Sequence, residues 1–237
     1  MRLDKYLATV TDLSRADAKK LLKASRVTVA EKVITDPRTH VLATAAVALD
    51  GELLRKATAR YFMLHKPEGY VSATKDREHL TVLDLLDEDN LEQLHIAGRL
   101  DIDTTGLVLI TDDGGWSHRV TSPHNDCNKT YLLETADPIS SAAIKKIEQG
   151  IHLDNEKRPT LPATIELIDE HCARLTICEG RYHQVKRMLA AVGNKVDKLH
   201  RERIGEIVLD EDLMPGEYRS LTEDEVVSVL SRTQVYE

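Results

Sequence analysis

The sequence predicts an α+β protein of two unequal domains, a small basic one over residues 1–58 and a larger acidic one over 59–237. Three observations lead there. The charge changes sign along the chain: residues 1 to 60 hold 12 Lys and Arg against 7 Asp and Glu, a net +5, and the rest hold 20 against 33, a net −13. Helical and strand-like patterns are interspersed without a regular β-α-β rhythm, which favours a mixed, mostly antiparallel sheet with flanking helices. No apolar run approaches the ~20 residues that span a bilayer, so no membrane contact is expected, and 41% hydrophobic with 30% charged residues is the balance of a globular chain with a sizeable core. The segment MRLDKYLATV has neither an apolar signal stretch nor an Arg-rich transit character, which predicts a cytosolic address. Cys127, Cys172 and Cys178 are odd in number and lack CxxC spacing, so they are expected to be reduced thiols. The His124–Cys127 HxxC has no second half and reads as a loop, and no metal site is predicted.

Taking the elements in order, Leu3, Tyr6, Leu7 and Val10 line one face of a first helix. Ser14 is placed to cap a second helix that buries Ala18, Leu21 and Leu22. At ~100° per residue, Arg15, Lys19, Lys23 and Arg26 of the segment Ser14 to Val27 fall within about 80° of one another. A solvated face is the commoner fate of such charges, but this stripe contains no acid, and the sign asymmetry of the chain favours contact with nucleic acid. Strands are expected at Val27 to Val29 and Val41 to Leu49, with a polar join over Gly51 to Arg60. Ala30 and Glu31 tolerate positive φ poorly, so the turn after Val29 is expected to be longer than two residues or of another type.

In the larger domain a strand begins at Arg60 and breaks at Lys66 to Gly69, where Pro67 and Gly69 supply turn chemistry. Further strands are predicted at Leu107 to Thr111, Lys129 to Thr135, Ala163 to Ile168 and Ala173 to Cys178, and helices at Ile139 to Gln149, Tyr182 to Val192 and Thr222 to Leu230. Thr222 and Glu225 form a capping box. Neither GxGxxG nor GxxxxGK[ST] occurs, so no nucleotide cofactor is indicated.

Two clusters can carry chemistry. In HIAGRLDIDTTGLVLITDDG, Asp101 and Asp103 are two apart and would share a face of an extended segment, as an acid–base pair would require. Turn capping is the commoner role for Asp beside Thr and Gly, and spacing alone leaves both readings open. Asp112 and Asp113 belong to the turn after a buried strand. In EGRYHQVKRMLAAVGN, Tyr182, Val185, Met188, Leu189 and Val192 form an apolar stripe. Lys186 lies about 40° from Tyr182 at the edge of that stripe, partly buried, and should find a carboxylate. His183 and Arg187 are expected to face outward. With Arg181, Lys195, Lys198, Arg201 and Arg203 they form a basic tract in an acidic domain, suited to phosphate.

RLDKYLA, SRADAKKLL and VTV, together covering about the first 55 residues, resemble the S4 RNA-binding domain. GRLDIDTTGL is similar to the GRLDxxTxGL signature of RsuA-type pseudouridine synthases, and KPEGY, KTY at Lys129 to Tyr131 and EGRYHQVKRM resemble the family's other motifs in the family's order. The resemblance implies an S4-like domain followed by a pseudouridine synthase domain. It also implies isomerisation of uridine to pseudouridine without a cofactor, on a base flipped out of folded RNA into a cleft. It assigns Asp101 as the catalytic carboxylate, nucleophile or electrostatic stabiliser. Lys186 is its basic partner, and Tyr131 the residue that packs on the base and assists at C5. Arg99 is assigned to the gap left by the base or to a neighbouring phosphate, and Gly98 and Gly106 to close approach of backbone to nucleotide. Arg15, Lys19, Lys23, Arg26, Lys66, Arg181 and Arg187 are expected to contact RNA. The start MRLDKYLA and the tract His152 to Ala163 look most like members acting on 16S ribosomal RNA. That makes this RNA, or a small-subunit assembly intermediate, the implied partner of a monomer. Action on 23S ribosomal RNA or transfer RNA, N-glycoside hydrolysis by Asp101 and Asp103, and non-catalytic ribosome assembly are the competing readings.

Overall fold

The computed structural model describes all residues except 12, 43–44, 55–57, 123–126 and 231–237, and His124 therefore lies outside the described residues. The chain divides into two units, Met1–Thr58 and Ala59–Glu237.

In the first unit, α1 (Leu3–Val10) buries Leu3, Tyr6 and Leu7 against Ala18 and Leu22 of α2 (Arg15–Lys23), with Leu21 half-buried. The Ser14 hydroxyl accepts from the Asp17 N–H at 3.1 Å, as a cap should. The four-cation stripe is not realised. α2 ends at Lys23 and Ser25 turns left-handed (φ 60°), so Arg26 leaves the helical face and pairs with Asp50. Arg15 donates to the buried Asp4 at 2.9 Å. Lys19 and Lys23 stay exposed.

A four-stranded antiparallel sheet completes this unit: β1 (Val27–Val29), β2 (Lys32–Val33), β3 (Val47–Leu49) and β4 (Glu52–Leu54), in the order β2-β1-β3-β4. Among the described residues of the expected strand over 41–49, Val47–Leu49 form one. Val29 pairs with Lys32, so Ala30 and Glu31 alone form the turn, both with positive φ (46° and 66°). The expectation of a longer turn fails because the cross-strand register overrides local preference. Asp50 and Gly51 (φ 52° and 88°) make the equivalent turn between β3 and β4 with residues suited to it. Changing Ala30 to Asn and Glu31 to Gly is therefore expected to stabilise the β1–β2 hairpin by about 1 kcal/mol. Amide-exchange protection of β1 and β2 in the full chain reads this out, and unchanged protection would show that the turn carries no strain.

The second unit is built on one sheet. Its strands are β5 (Tyr61–Lys66), β6 (His95–Ala97), β7 (Thr105–Thr111), β8 (Lys129–Thr135), β9 (Thr164–Leu167), β10 (Cys172–Ile177), β11 (Val196–Ile204), β12 (Ile207–Val208) and β13 (Tyr218–Ser220). The order is β13-β5-β7-β11-β8-β10-β9, with β6 on β7 and β12 on β11. Every pairing is antiparallel except β7 with β11. Four helices flank it: α3 (Gly114–Thr121), α4 (Ser141–Gln149), α5 (Gln184–Ala191) and α6 (Glu223–Leu230).

Period-two alternation distributes the core to both faces of the sheet. Phe62, Leu64, Val108, Ile110, Leu133 and Leu175 pack with Ile147 of α4 and Met188 and Leu189 of α5. Met63, Leu107, Leu109 and Ile204 pack with Trp116 and Val120 of α3. β7 is thus apolar on both sides, which is why it reads as an unbroken hydrophobic run. The capping box at α6 forms, with Thr222 N–H donating to Glu225 at 2.7 Å and Glu225 N–H to Thr222 at 3.2 Å.

β6, β12 and β13 form where no strand is predicted, and α3 and β11 are the larger departures from expectation. Asp113 is the cap of α3, accepting from the Gly115 and Trp116 N–H groups at 2.9 and 3.1 Å, and not only a turn residue. Two glycines hide this helix in the sequence. Burial of Trp116, whose indole N–H donates to the Val226 carbonyl at 3.0 Å, outweighs their poor propensity. β11 is the longest strand of the sheet, formed where the sequence reads as a basic tract. Among the described residues no helix is long and apolar enough to cross a membrane.

Candidate active site

The loop from Gly98 to Thr104 joins β6 to β7 and is held from below by two buried cations. Arg201, on β11 and 2% exposed, donates to the carbonyls of Gly98 at 2.7 Å and Leu107 at 2.8 Å, closing the neck of the loop. Lys66, at the end of β5 and fully buried, donates to the carbonyls of Pro67 (3.0 Å), Ile102 (3.2 Å) and Thr104 (2.7 Å). An ammonium has three protons, and three carbonyls take them. Lys66 and Arg201 are therefore supports of the loop and do not reach RNA phosphate, contrary to the sequence expectation. The expectation for Gly106 changes too. A Cβ there would lie 2.3 Å from the Arg201 carbonyl oxygen, so this glycine admits the backbone of β11 and not a nucleotide.

Burial pushes the Lys66 pKa down to about 8, with the nearby Asp103 and Asp101 charges opposing. The folded-state pKa lies below the unfolded one, so between about pH 8 and 10.5 the unfolded chain binds a proton that the folded chain has lost, and this group makes stability rise with pH there. Relative to Lys66→Met, the natural chain is expected to gain up to about 3 kcal/mol across that window in urea-unfolding free energy. Parallel pH curves for the two proteins would refute it.

On top of the loop stand the carboxylates. Asp101 and Asp103 lie in a turn, closed by Thr104 N–H donating to the Asp101 carbonyl at 3.1 Å, and not on the extended segment expected. Lys186 of α5 joins them, with Nζ 3.3 Å from Asp101 Oδ2 and 2.5 Å from Asp103 Oδ1. Lys186 is half-buried, as its position at the edge of the stripe predicts, and its carboxylate partners are these two. Burial alone would lower its pKa, but the hydrogen bond to Asp103 and the Asp101 charge hold it above the ordinary lysine value. Burial likewise pushes Asp103 up, yet the Lys186 contact keeps it below the usual carboxylate range. Asp103 is thus a direct partner of the lysine, more than a turn residue.

His183 brackets the other side, with Nε2 3.3 Å from Asp101 Oδ1. It does so from a left-handed backbone (φ 48°, ψ 36°), which delays α5 until Gln184 and leaves Tyr182 outside the helix and 77% exposed. The expected outward direction of His183 and the expected place of Tyr182 in the apolar stripe are both corrected by this one backbone conformation. Helical periodicity has no term for a residue that interrupts it.

Tyr131 on β8 is buried beside Arg201, its cross-strand neighbour, whose guanidinium carbon lies 5.9 Å from the ring centroid. Arg99 is exposed on the loop. Asp101, Lys186, Tyr131, Arg99, His183 and Tyr182 all line one cleft of about 770 Å³, roomy enough for a nucleotide. Arg181 lines it as well, but its guanidinium is committed. It pairs with Glu179 at 3.0 Å and donates to the carbonyls of Arg158 (2.8 Å) and Pro159 (2.7 Å). Arg187 pairs with Glu156 at 3.1 Å and donates to the Asp154 carbonyl at 2.6 Å. These two arginines clamp the segment 154–159 and are not free phosphate ligands. In the rest of the basic tract, Lys195, Lys198 and Arg203 pair with Asp197, Glu134 and Glu206.

A buried aromatic ring, a lysine-paired carboxylate and an exposed arginine in one cleft suit a flipped base. Residues 60–191 match the family model described as RNA pseudouridylate synthase, and residues 1–47 match the S4 domain. The chain belongs to the RNA pseudouridylate synthase family. It is an isomerase, with an S4 domain preceding the synthase domain. The chain is 55% identical to ribosomal small subunit pseudouridine synthase A of Salmonella typhimurium, covering 97% of this chain and 100% of that one. It is 54% identical to the Escherichia coli (strain K12) protein of the same name, with 97% and 100% covered. A crystal structure of a pseudouridylate synthase superposes with a TM-score of 0.71 at 46% identity, over 97% of this chain and 99% of the other.

Proposed function

We propose that this synthase converts a specific uridine of small-subunit ribosomal RNA to pseudouridine, with Asp101 as the reacting carboxylate. The observation that carries the chemistry is the Asp101 carboxylate held between Lys186 and His183, both at 3.3 Å, in the cleft that Tyr131 also lines. The substrate follows from the name shared by relatives that span the whole chain.

Isomerisation breaks the bond from uracil N1 to ribose C1′ and joins C5 to C1′. The proton leaves C5, N1 gains one, and no electron is transferred overall. When N1 departs, C1′ becomes electron-poor, and an ionised carboxylate beside it meets that deficiency by bonding or by charge. Lys186 holds its positive charge 3.3 Å from the Asp101 carboxylate and fixes its position. Tyr131 packs on the uracil and assists removal of the C5 proton, while Arg99 fills the gap in the RNA or holds the adjoining phosphate. Lys19 and Lys23 of the S4 domain contact RNA phosphates. The enzyme acts as a monomer in this reading. The protein acts in the cytosol, on 16S ribosomal RNA or a small-subunit assembly intermediate.

The deciding experiment maps pseudouridines in ribosomal and transfer RNA from cells lacking the gene, before and after it is restored. One site in small-subunit RNA is expected to vanish and return. A site lost from large-subunit or transfer RNA instead would overturn the substrate assignment.

A further inference from the structure

Tyr182 is one of the two most exposed large apolar side chains in the described structure, yet it lines the cleft. One face of its ring is stacked on His183, with centroids 3.8 Å apart and planes 20° from parallel. His183 in turn contacts Asp101. A solitary exposed tyrosine needs no explanation. This one is different, because the backbone that presents it is left-handed at a histidine, a conformation that non-glycine residues avoid unless the surroundings impose it. That conformation takes the Tyr182 ring out of the apolar stripe of α5 and leaves it at the edge of the site.

The cleft therefore offers two aromatic surfaces of different character. Tyr131 is 8% exposed and lies inside. Tyr182 is 77% exposed and lies at the mouth, with its second face unoccupied by any other aromatic ring among the described residues. Extraction of a uridine deprives its neighbours of a stacking partner, and a flat aromatic face is a sequence-tolerant replacement.

We propose that Tyr182 is a stacking platform for the nucleobase adjoining the flipped uridine, seated on His183. The inference rests on the RNA-modifying reading above and adds a subsite to it.

The test compares the full-length natural enzyme with Tyr182→Phe, Tyr182→Trp and Tyr182→Leu. Each is assayed for release of tritium from 5-tritiated uridine in small-subunit particles taken from cells lacking the gene. Phe and Trp should keep KM within about threefold of the natural value. Leu, apolar and of similar bulk but without a π face, should raise KM by about 5- to 150-fold with kcat little changed. Equal KM for Leu and Phe would overturn the platform, as would a loss confined to kcat. If the natural enzyme itself releases no tritium from these particles, the substrate reading fails, an outcome distinct from either. Because Tyr182 is exposed, all variants should unfold at the natural midpoint.

Discussion

Replacing Asp101 with Asn is expected to lower pseudouridine formation by at least ~10³-fold while RNA affinity stays within about threefold, because in the proposed mechanism the group acts in the transition state and not in binding. Asn keeps the shape of the side chain and removes the charge, so loss of activity reports the charge. The structure sharpens the control. Lys186 lies nearer to Asp103 (2.5 Å) than to Asp101 (3.3 Å), so Asp103→Asn cannot be silent. Without Asp103 the ammonium keeps one anionic partner, and the loss should be on the order of tenfold, the scale of one charge-assisted hydrogen bond. Tritium release with each variant separates the cases. Retained turnover in Asp101→Asn sinks the assignment, and equal losses in both variants would restore a carboxylate pair and with it glycoside hydrolysis. Detection of free uracil would be the signature of that chemistry.

Gly106→Ala is expected to remove most of the folding free energy of the synthase domain. The new methyl would meet the Arg201 carbonyl oxygen at 2.3 Å and its amide nitrogen at 2.7 Å, backbone atoms that no side-chain rotation can clear. Glycine's φ of 103° is also one that alanine avoids. Relief requires β7 and β11 to part at their only parallel pairing, Arg201 with Gly106 and His200 with Thr105, in the middle of the sheet. A loss of more than about 4 kcal/mol is expected, comparable with the whole stability of many domains. Urea unfolding of the soluble fraction measures it, and a shift below about 1 kcal/mol would mean that the strands reseat freely.

How far the sequence could be read depended on the physical origin of each signal. Ser14, the Thr222–Glu225 box and the two-sided apolar run of β7 are local patterns, and each forms as expected. The pairing of Lys186 with a carboxylate was legible because a lysine at the edge of an apolar stripe must find an anion. The family motif names Asp101 as that anion, and the nearer partner, Asp103, reads there as a turn residue. Lys66 and Arg201 were misjudged for a shared reason. A cation in a polar context reads as surface, and only the fold reveals carbonyls turned inward to receive it. Arg181 and Arg187 failed in the same way, most of their acceptors lying in the segment 154–159, more than twenty residues distant. His183 and Tyr182 escaped because one left-handed residue ended the periodicity on which their placement depended. Ala30 and Glu31 show the reverse, a turn whose residues argue against the geometry that the strands impose.

The two buried cations beneath the Gly98–Thr104 loop also bear on how turnover responds to temperature. A loop tied by Lys66 and Arg201 through the carbonyls of Gly98, Ile102, Thr104 and Leu107 has lost its disorder before any RNA arrives. The entropy of ordering these residues belongs to folding and is absent from substrate docking. Whatever unfavourable entropy accompanies binding then resides in the RNA, which must open to release its base, and heating should influence capture through the polynucleotide far more than through the enzyme.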